Sequence, residues 1–170
     1  MSDSINRFSN RVETYVRARP AYPYAVLACL VERYGLGPIA TVADVGAGTG
    51  LLTRLLLTAG CTVHAIEPNP RMAAAAERML GGHPGYRSQL GAAEATGLPD
   101  RSIDFVTAGQ AFHWFDIPAA RQEFRRILRS GRPGLEWPPR VRCALSGWLP
   151  ADYRALRAGL HRSRPCPCRR

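Results

Sequence analysis

The amino-acid sequence predicts an α/β fold in which a mainly parallel sheet lies between two layers of helices. Short, β-branched apolar runs at residues 40–45 and 61–67 have the composition of buried strands. The segment between them, residues 51–60, has helical spacing and ends at a glycine. Strands that alternate with helices along a chain favour a parallel sheet covered on both faces.

The other elements follow from helix caps, helix breakers and periodicity. A polar helix is predicted to end before Pro20, because the residue that precedes a proline avoids the helical region. A second helix is predicted to start at Pro23 and to stop at Gly35, and Asn69 is a predicted N-cap with Pro70 in the first turn. The predicted helices cover residues 6–18, 23–34, 51–60, 70–80 and 119–129, and the predicted strands cover residues 40–45, 61–67, 86–91 and 102–109.

The stretch VADVGAGTG places glycines at three alternate positions after the first strand, at Gly46, Gly48 and Gly50. Glycine tolerates positive φ and has no Cβ, so such a loop can turn sharply and let a ligand lie against the main chain at a helix N-terminus. The second strand ends in Glu67, at the point where a nucleoside-binding α/β fold presents a carboxylate to ribose hydroxyls. The two turns together predict a nucleoside pocket.

Glycine spacing and composition argue against several nucleotide-binding classes. A dinucleotide fingerprint, G-x-G-x-x-G/A, needs a small residue where this chain has Leu51. All 23 basic residues are arginine, so the lysine of a P-loop or of a Schiff-base enzyme is absent. NAD, P-loop nucleotides and pyridoxal cofactors are therefore disfavoured.

Four segments, in this order and spacing, resemble the class I S-adenosylmethionine-dependent methyltransferases, specifically the type 11 group. They are VADVGAGTG, IEPNP at residues 66–70, GAAEATGLPDRSIDFV at residues 91–106 and AGQAFHWFD at residues 108–116. The segments YVRARPAYP and FHWF look most like the trans-aconitate methyltransferase-like subgroup. The resemblance implies a Rossmann-like three-layer sandwich, S-adenosylmethionine as cofactor and methyl transfer to a small-molecule acceptor.

The resemblance also implies a set of cofactor-binding residues at the ends of the strands. Glu67 would accept hydrogen bonds from both ribose hydroxyls, and Asp44 would steady the glycine loop or the methionine amino group. Backbone groups of Ala93 and Glu94 would line the adenine, although Ala92 replaces the Asp or Thr often found there. The complete set is Asp44, Gly46, Ala47, Gly48, Gly50, Glu67, Pro68, Ala93, Glu94 and Gln110.

Substrate-facing residues are expected after the fourth strand and in the N-terminal segment. An open α/β sheet places its reacting atoms outside the carboxyl ends of its strands. His113 is the candidate catalytic residue, as a general base or as a group that holds a substrate oxygen; the alternative is a histidine packed among aromatic side chains. Trp114 is a predicted pocket wall, and Arg19 with Tyr22 are candidates to bind a substrate carboxylate, against ordinary loop packing.

Composition predicts a cytoplasmic domain that binds neither membranes nor a specific nucleic acid. The net charge of +10 divides into +3 for residues 1–130 and +7 for residues 131–170, so the basicity belongs to the C-terminal segment. Such a segment attracts polyanions without sequence preference. No apolar run approaches a membrane span, the start of the chain is polar, and the Cys and His residues near the C-terminus lack zinc-site spacing. We therefore predict no metal, and composition favours no particular oligomeric state.

Three regions are predicted: an N-terminal helical cap (residues 1–38), a cofactor-binding core (residues 39–130) and a Pro/Arg-rich tail (residues 131–170) that is expected to be disordered. The family pattern requires a further apolar strand after the last helix, but the tail has 6 Pro and 9 Arg residues and only residues 135–137 resemble a strand. The last strands are therefore expected to be missing or aberrant. Two interpretations stay open: an active methyltransferase, or an inactive, truncated cofactor-binding remnant or frameshift product.

Overall fold

The computed structural model describes residues 21–129, which form a four-stranded parallel sheet and its flanking helices. The strands lie in the order β3-β2-β1-β4. The elements in chain order are α1 (Tyr24–Tyr34), β1 (Thr41–Val45), α2 (Leu51–Thr58), β2 (Thr62–Glu67), α3 (Pro70–Leu80), β3 (Tyr86–Leu90), β4 (Phe105–Thr107), a short 3-10 helix (Phe112–Trp114) and α4 (Ile117–Ile127).

Local sequence accounts for the helix ends. Gly35 ends α1 in the left-handed region, at φ 69°, where glycine has no steric penalty. The side chain of Asn69 accepts a hydrogen bond from the backbone N–H of Arg71 at 3.0 Å and so caps α3. Asp116 caps α4 in the same way, by accepting from the N–H of Ala119 at 3.2 Å.

The sheet is buried on both faces because successive side chains of β1 point to opposite sides. Val42 belongs to a hydrophobic cluster with residues of α1, α2 and α3, whereas Ala43 and Val45 belong to a second cluster with residues of α4. Phe124 and Ile127 are the largest α4 contributions to the second cluster, and both are almost completely buried. The predicted Rossmann-like three-layer α/β fold is confirmed.

The fourth strand differs from the sequence prediction. Strand β4 has three residues rather than the eight predicted at 102–109. The backbone N–H groups of Ser102 and Ile103 instead donate to the carbonyl of Ile127, at 2.8 and 3.0 Å, and Ile103 forms a parallel bridge with Leu128. The chain therefore returns from α4 to the outer side of β4, whereas the regular pairing of β4 with β1 covers only Phe105–Thr107.

Several predictions fall on residues that the structure does not describe. The helix at 6–18, Arg19 and the tail at 131–170 lie outside residues 21–129, and so do the cysteines near the C-terminus. Within the described range, none of the helices combines the length and the apolar character needed to cross a membrane.

Candidate functional site

The carboxyl ends of the four parallel strands lie on one side of the sheet, and most of the predicted site residues lie there. In the parallel register Val45 lies beside Ile66, Glu67 beside Leu90, and Asp44 beside Thr107. The glycine loop, Glu67, the loop after β3 and the segment after β4 therefore meet at the carboxyl end of the sheet. Open α/β sheets bind their ligands at this edge.

The three glycines of the loop have different surroundings, although all have positive φ, at 70°, 60° and 84°. A Cβ on Gly46 would overlap the Cβ of Ala111, and a Cβ on Gly50 would come within 2.6 Å of Leu80 Cδ1. A Cβ on Gly48 would have no described atom within 4 Å. Packing thus requires Gly46, and the positive φ favours glycine at position 50, whereas Gly48 faces open space in which a ligand can approach the main chain.

Glu67 is held rigidly beside that open space. One of its carboxylate oxygens accepts the N–H of Gly48 at 2.8 Å, and the other accepts the N–H of Asn69 at 3.0 Å. Burial raises the pKa of Glu67 above its ordinary value, and the two backbone hydrogen bonds partly oppose this rise. An ionised carboxylate has about four acceptor positions, so two remain for a ligand diol.

Asp44 lies beneath the loop and is completely buried. Its oxygens accept hydrogen bonds from the hydroxyls of Thr53 at 2.6 Å and Thr107 at 3.2 Å. Burial raises its pKa to about 6, against the effect of both hydroxyls. Asp44 therefore connects α2 to β4 through side chains, which agrees with support of the glycine loop rather than with an exposed contact surface.

Sequence reasoning missed both threonines that hold Asp44. Thr53 lies one helical turn beyond the glycines, at a spacing that brings its side chain back over the start of the helix. This spacing was a usable signal. The contact with Thr107 carried no such signal, because this residue is 63 positions away in the sequence.

The loop after β3 carries Ala93 and Glu94. The Ala93 side chain is buried in the second hydrophobic cluster. A carboxylate oxygen of Glu94 accepts the N–H of Asp116 at 2.7 Å, so this loop is joined to the first turn of α4. Pro68 is exposed between Glu67 and Asn69. Glu67 thus ends β2, and this loop follows the neighbouring strand β3.

Tyr22 lies against Gly109, the residue before Gln110, after the end of β4. Gln110 has a positive φ of 57°, a conformation that is uncommon for a residue other than glycine and that often occurs at functional sites. A Cβ on Gly109 would lie 2.5 Å from the hydroxyl oxygen of Tyr22, so this hydroxyl lies directly over the residue before Gln110. The structure therefore brings Tyr22 to the site, although the two residues are far apart in sequence.

His113 and Trp114 form an exposed aromatic surface in the 3-10 helix. Their ring centroids are 4.8 Å apart, and Trp114 is 49% exposed. Phe115 points the other way and packs edge-to-face against Phe124 of the core, with centroids 6.3 Å apart. His113 is exposed, and its ring packs against that of Trp114.

Comparison with known proteins identifies the family. The sequence pattern of a methyltransferase-domain family, type 11, matches residues 43–132. The chain belongs to this methyltransferase family. An uncharacterised methyltransferase of Mycobacterium tuberculosis is 40% identical over 143 residues, which are 84% of this chain and 55% of that protein. The chain thus spans about half the length of the curated relatives it matches.

Solved methyltransferases share the fold. A protein assigned to the type II methyltransferases, from Anaeromyxobacter dehalogenans, is 37% identical with a TM-score of 0.55, over 65% of this chain and 45% of that one. A SAM-dependent methyltransferase from Aquifex aeolicus is 19% identical with a TM-score of 0.61, over 78% of this chain and 80% of that one. The second likeness concerns the fold alone.

S-adenosylmethionine is the cofactor of this methyltransferase family, and the site fits it. Gly48 leaves an open approach to the main chain, and Glu67 offers two free acceptor positions beside it. The hydroxyl of Thr49, in the same loop, is buried and has no hydrogen-bond partner among residues 21–129. Within that range no group of three or more His, Cys, Asp or Glu residues could hold a metal ion.

Proposed function

We propose that this chain binds S-adenosylmethionine at the carboxyl end of the sheet and transfers its methyl group to a small-molecule acceptor. The observation that carries the proposal is the pairing of Gly48 with Glu67. A buried carboxylate is fixed by two backbone N–H groups next to a glycine that faces open space. This arrangement suits the ribose diol of the cofactor, with the base extending to one side of the ribose and the amino-acid part to the other.

The cofactor-side roles follow from position. Glu67 accepts the ribose hydroxyls, and Gly46, Ala47, Gly48 and Gly50 form the backbone cradle below the amino-acid part. Ala93, Glu94 and Pro68 border the base. Asp44 supports the glycine loop through its hydrogen bonds to Thr53 and Thr107. Gln110 faces the methionine part from the end of β4. Burial of Glu67 and Asp44 limits the water at this edge of the site.

When bound, the cofactor supplies a methyl group on a positively charged sulfur, which is an excellent leaving group. The chain's contribution is then to align the acceptor with the methyl carbon and to exclude water. Tyr22 lies against Gly109, and His113 and Trp114 follow in the next turn of the chain. In this proposal His113 holds or removes a proton of the acceptor. An exposed histidine next to an exposed Trp ring suits a small polar acceptor with an apolar part.

The class of acceptor is part of the proposal. The segments at residues 15–23 and 112–115 resemble the trans-aconitate methyltransferase-like subgroup. Arg19 with Tyr22 would then bind a carboxylate of the acceptor. We extend the proposal to a cytoplasmic protein whose partner is a small molecule rather than a membrane or a specific nucleic acid. Carboxylate-bearing acceptors are the first to test.

The deciding experiment measures binding of S-adenosylhomocysteine by calorimetry. We expect the wild-type chain to bind it and Glu67→Gln to bind at least ~10-fold more weakly, because charge-assisted hydrogen bonds contribute about 1.5–3 kcal/mol each. Glu32→Gln is the control, since Glu32 is an exposed carboxylate on α1. Equal affinity in Glu67→Gln and in the wild type would overturn the proposal.

A second candidate function is cofactor binding without methyl transfer. It is kept because the chain matches only about half of its curated relatives' length. Release of S-adenosylhomocysteine with a panel of carboxylates, phenols, amines and thiols separates the two functions. With an acceptor in hand, His113→Ala should lower kcat and leave cofactor affinity and melting temperature unchanged, because the side chain is exposed. Binding without turnover across the panel would favour the second candidate.

A further inference from the structure

A hydrogen-bonded network joins α4 to the loop that follows β3. Glu123 of α4 accepts both the N–H of Thr96, at 2.9 Å, and its hydroxyl. Arg126, one turn later on the same helix, donates to both oxygens of Glu123, at 2.7 and 2.8 Å. Its guanidinium also reaches the carbonyl of Leu98, at 2.8 Å, and the carboxylate of Asp100. The two side chains thus bind three points of the loop.

The inner part of this network is buried, whereas the side chains of Arg126 and Asp100 are 37% and 73% exposed. Glu123 is only 8% exposed and Thr96 is fully buried. Hydrogen bonding to Arg126 lowers the pKa of Glu123 to about 2, so the carboxylate stays ionised at any ordinary pH. Charge-assisted bonds with several donors are both stronger and more directional than neutral ones. The loop is therefore held in one conformation from the side of α4.

The loop held in this way begins next to Glu67, the carboxylate that is proposed to bind the ribose. Leu90, the last residue of β3, lies beside Glu67 in the register, and the N–H of Gly91 points to the Glu67 carbonyl at 3.4 Å. The loop itself contributes a pair of backbone hydrogen bonds, at 3.2 Å each, between Ala92 and Ala95. Because such a short turn has few internal restraints, its position depends on contacts from outside.

We infer that Glu123 and Arg126 are positioning residues of the cofactor site: they hold the loop at residues 91–100 in the conformation that borders the base. Neither side chain needs to touch the ligand, because both act through Thr96, Leu98 and Asp100. The inference rests on the proposed function, since it concerns the same pocket. It also assigns a purpose to two charged side chains that the catalytic and ribose-binding roles leave unused.

The test compares two ion pairs on the same stretch of chain. Arg126→Met removes the donor to the loop. Arg129→Met is the matched control. Arg129 pairs with Asp104 at 3.0 Å near the amino ends of β1 and β4, which are opposite to the carboxyl ends where the proposed site lies. Thr96→Val, a nearly isosteric change that removes one hydroxyl, serves if Arg126→Met does not fold. Arg126→Lys should restore part of the lost affinity.

Affinity is measured for S-adenosylhomocysteine and for 5′-methylthioadenosine, which keeps the base and ribose but lacks the amino-acid part. We expect Arg126→Met to weaken both ligands by about tenfold and Thr96→Val to weaken both by a smaller factor, with Arg129→Met close to the wild type. Equal effects of Arg126→Met and Arg129→Met, or weakening of S-adenosylhomocysteine alone, would overturn the inference. If the wild-type chain binds neither ligand, the proposed function itself fails.

Discussion

At the scale of single residues, the site depends on carboxylates whose roles differ because their surroundings differ. Each oxygen of both carboxylates accepts one hydrogen bond, but Glu67 lies beside open space, whereas Asp44 is enclosed by threonine hydroxyls beneath the loop. Asp44 is completely buried and has a pKa of about 6, above the ordinary value of 3.8. The folded chain therefore prefers the protonated form of Asp44 more than the unfolded chain does.

The sign of this shift gives a testable pH dependence. A group whose folded pKa is raised destabilises the fold as the pH rises from 3.8 to about 6, and its effect is constant above that range. Asp44→Asn has no charge to bury, so it should lose less stability than the wild type between pH 4 and pH 7, by on the order of 2–3 kcal/mol. Urea unfolding of both proteins at several pH values measures the difference. Parallel stability curves would contradict the raised pKa.

At the scale of secondary-structure elements, the turn between β2 and α3 combines two functions in adjacent atoms. The backbone N–H of Asn69 holds Glu67, and its side chain caps α3 through the N–H of Arg71. A substitution of the side chain can therefore remove the cap and leave the contact with Glu67 in place. Stability and cofactor affinity should separate at this position.

We expect Asn69→Ala to lower the free energy of unfolding by about 1 kcal/mol, the usual loss when a capping side chain is removed. Cofactor affinity should fall much less than in Glu67→Gln. Asn69→Ser, which keeps a capping oxygen and adds no charge beside Glu67, is the control and should retain most of the stability. Chemical denaturation and calorimetry give the two quantities. An affinity loss as large as that of Glu67→Gln would show that the side chain itself supports the ribose site.

At the scale of the whole molecule, β4 is an outer strand of the described sheet. β4 pairs with β1 on one side. On its other side, the parallel bridge between Ile103 and Leu128 and the hydrogen bond from the Arg129 N–H to the Ile103 carbonyl, at 2.9 Å, have the geometry that starts a further parallel strand. Parallel strands in the interior of such sheets pair on both sides and are covered on both faces.

This geometry predicts that a chimera will be more stable than the chain itself. Residues 131–170 would be replaced by the segment that follows the matched region in the Mycobacterium tuberculosis methyltransferase. The six prolines among residues 131–170 remove ladder donors. The graft should therefore raise the melting temperature, by about 2–4 °C for each kcal/mol gained in a chain of this length. A shuffled graft of equal composition is the control. An unchanged melting temperature would show that β4 needs no further strand.

The sequence by itself determined the local features of this protein. Strand, glycine loop and helix followed from apolar patterning and from the freedom of glycine, and Glu67 was singled out by its place at the end of the second strand. The caps at Gly35 and Asn69 were readable because a helix end is satisfied by residues within a few positions of it. The motifs in order also identified the methyltransferase family.

Only the tertiary structure decided which residues act together. It showed that Gly48 faces open space while Gly46 meets Ala111, that Thr107 reaches Asp44, and that Glu123 holds a loop 27 residues before it in the chain. It also limited β4 to Phe105–Thr107 and joined Ile103, on the outer side of β4, to the end of α4. These features depend on contacts between distant segments, and local patterning and spacing carry no information about which distant side chains will meet once the sheet and helices pack.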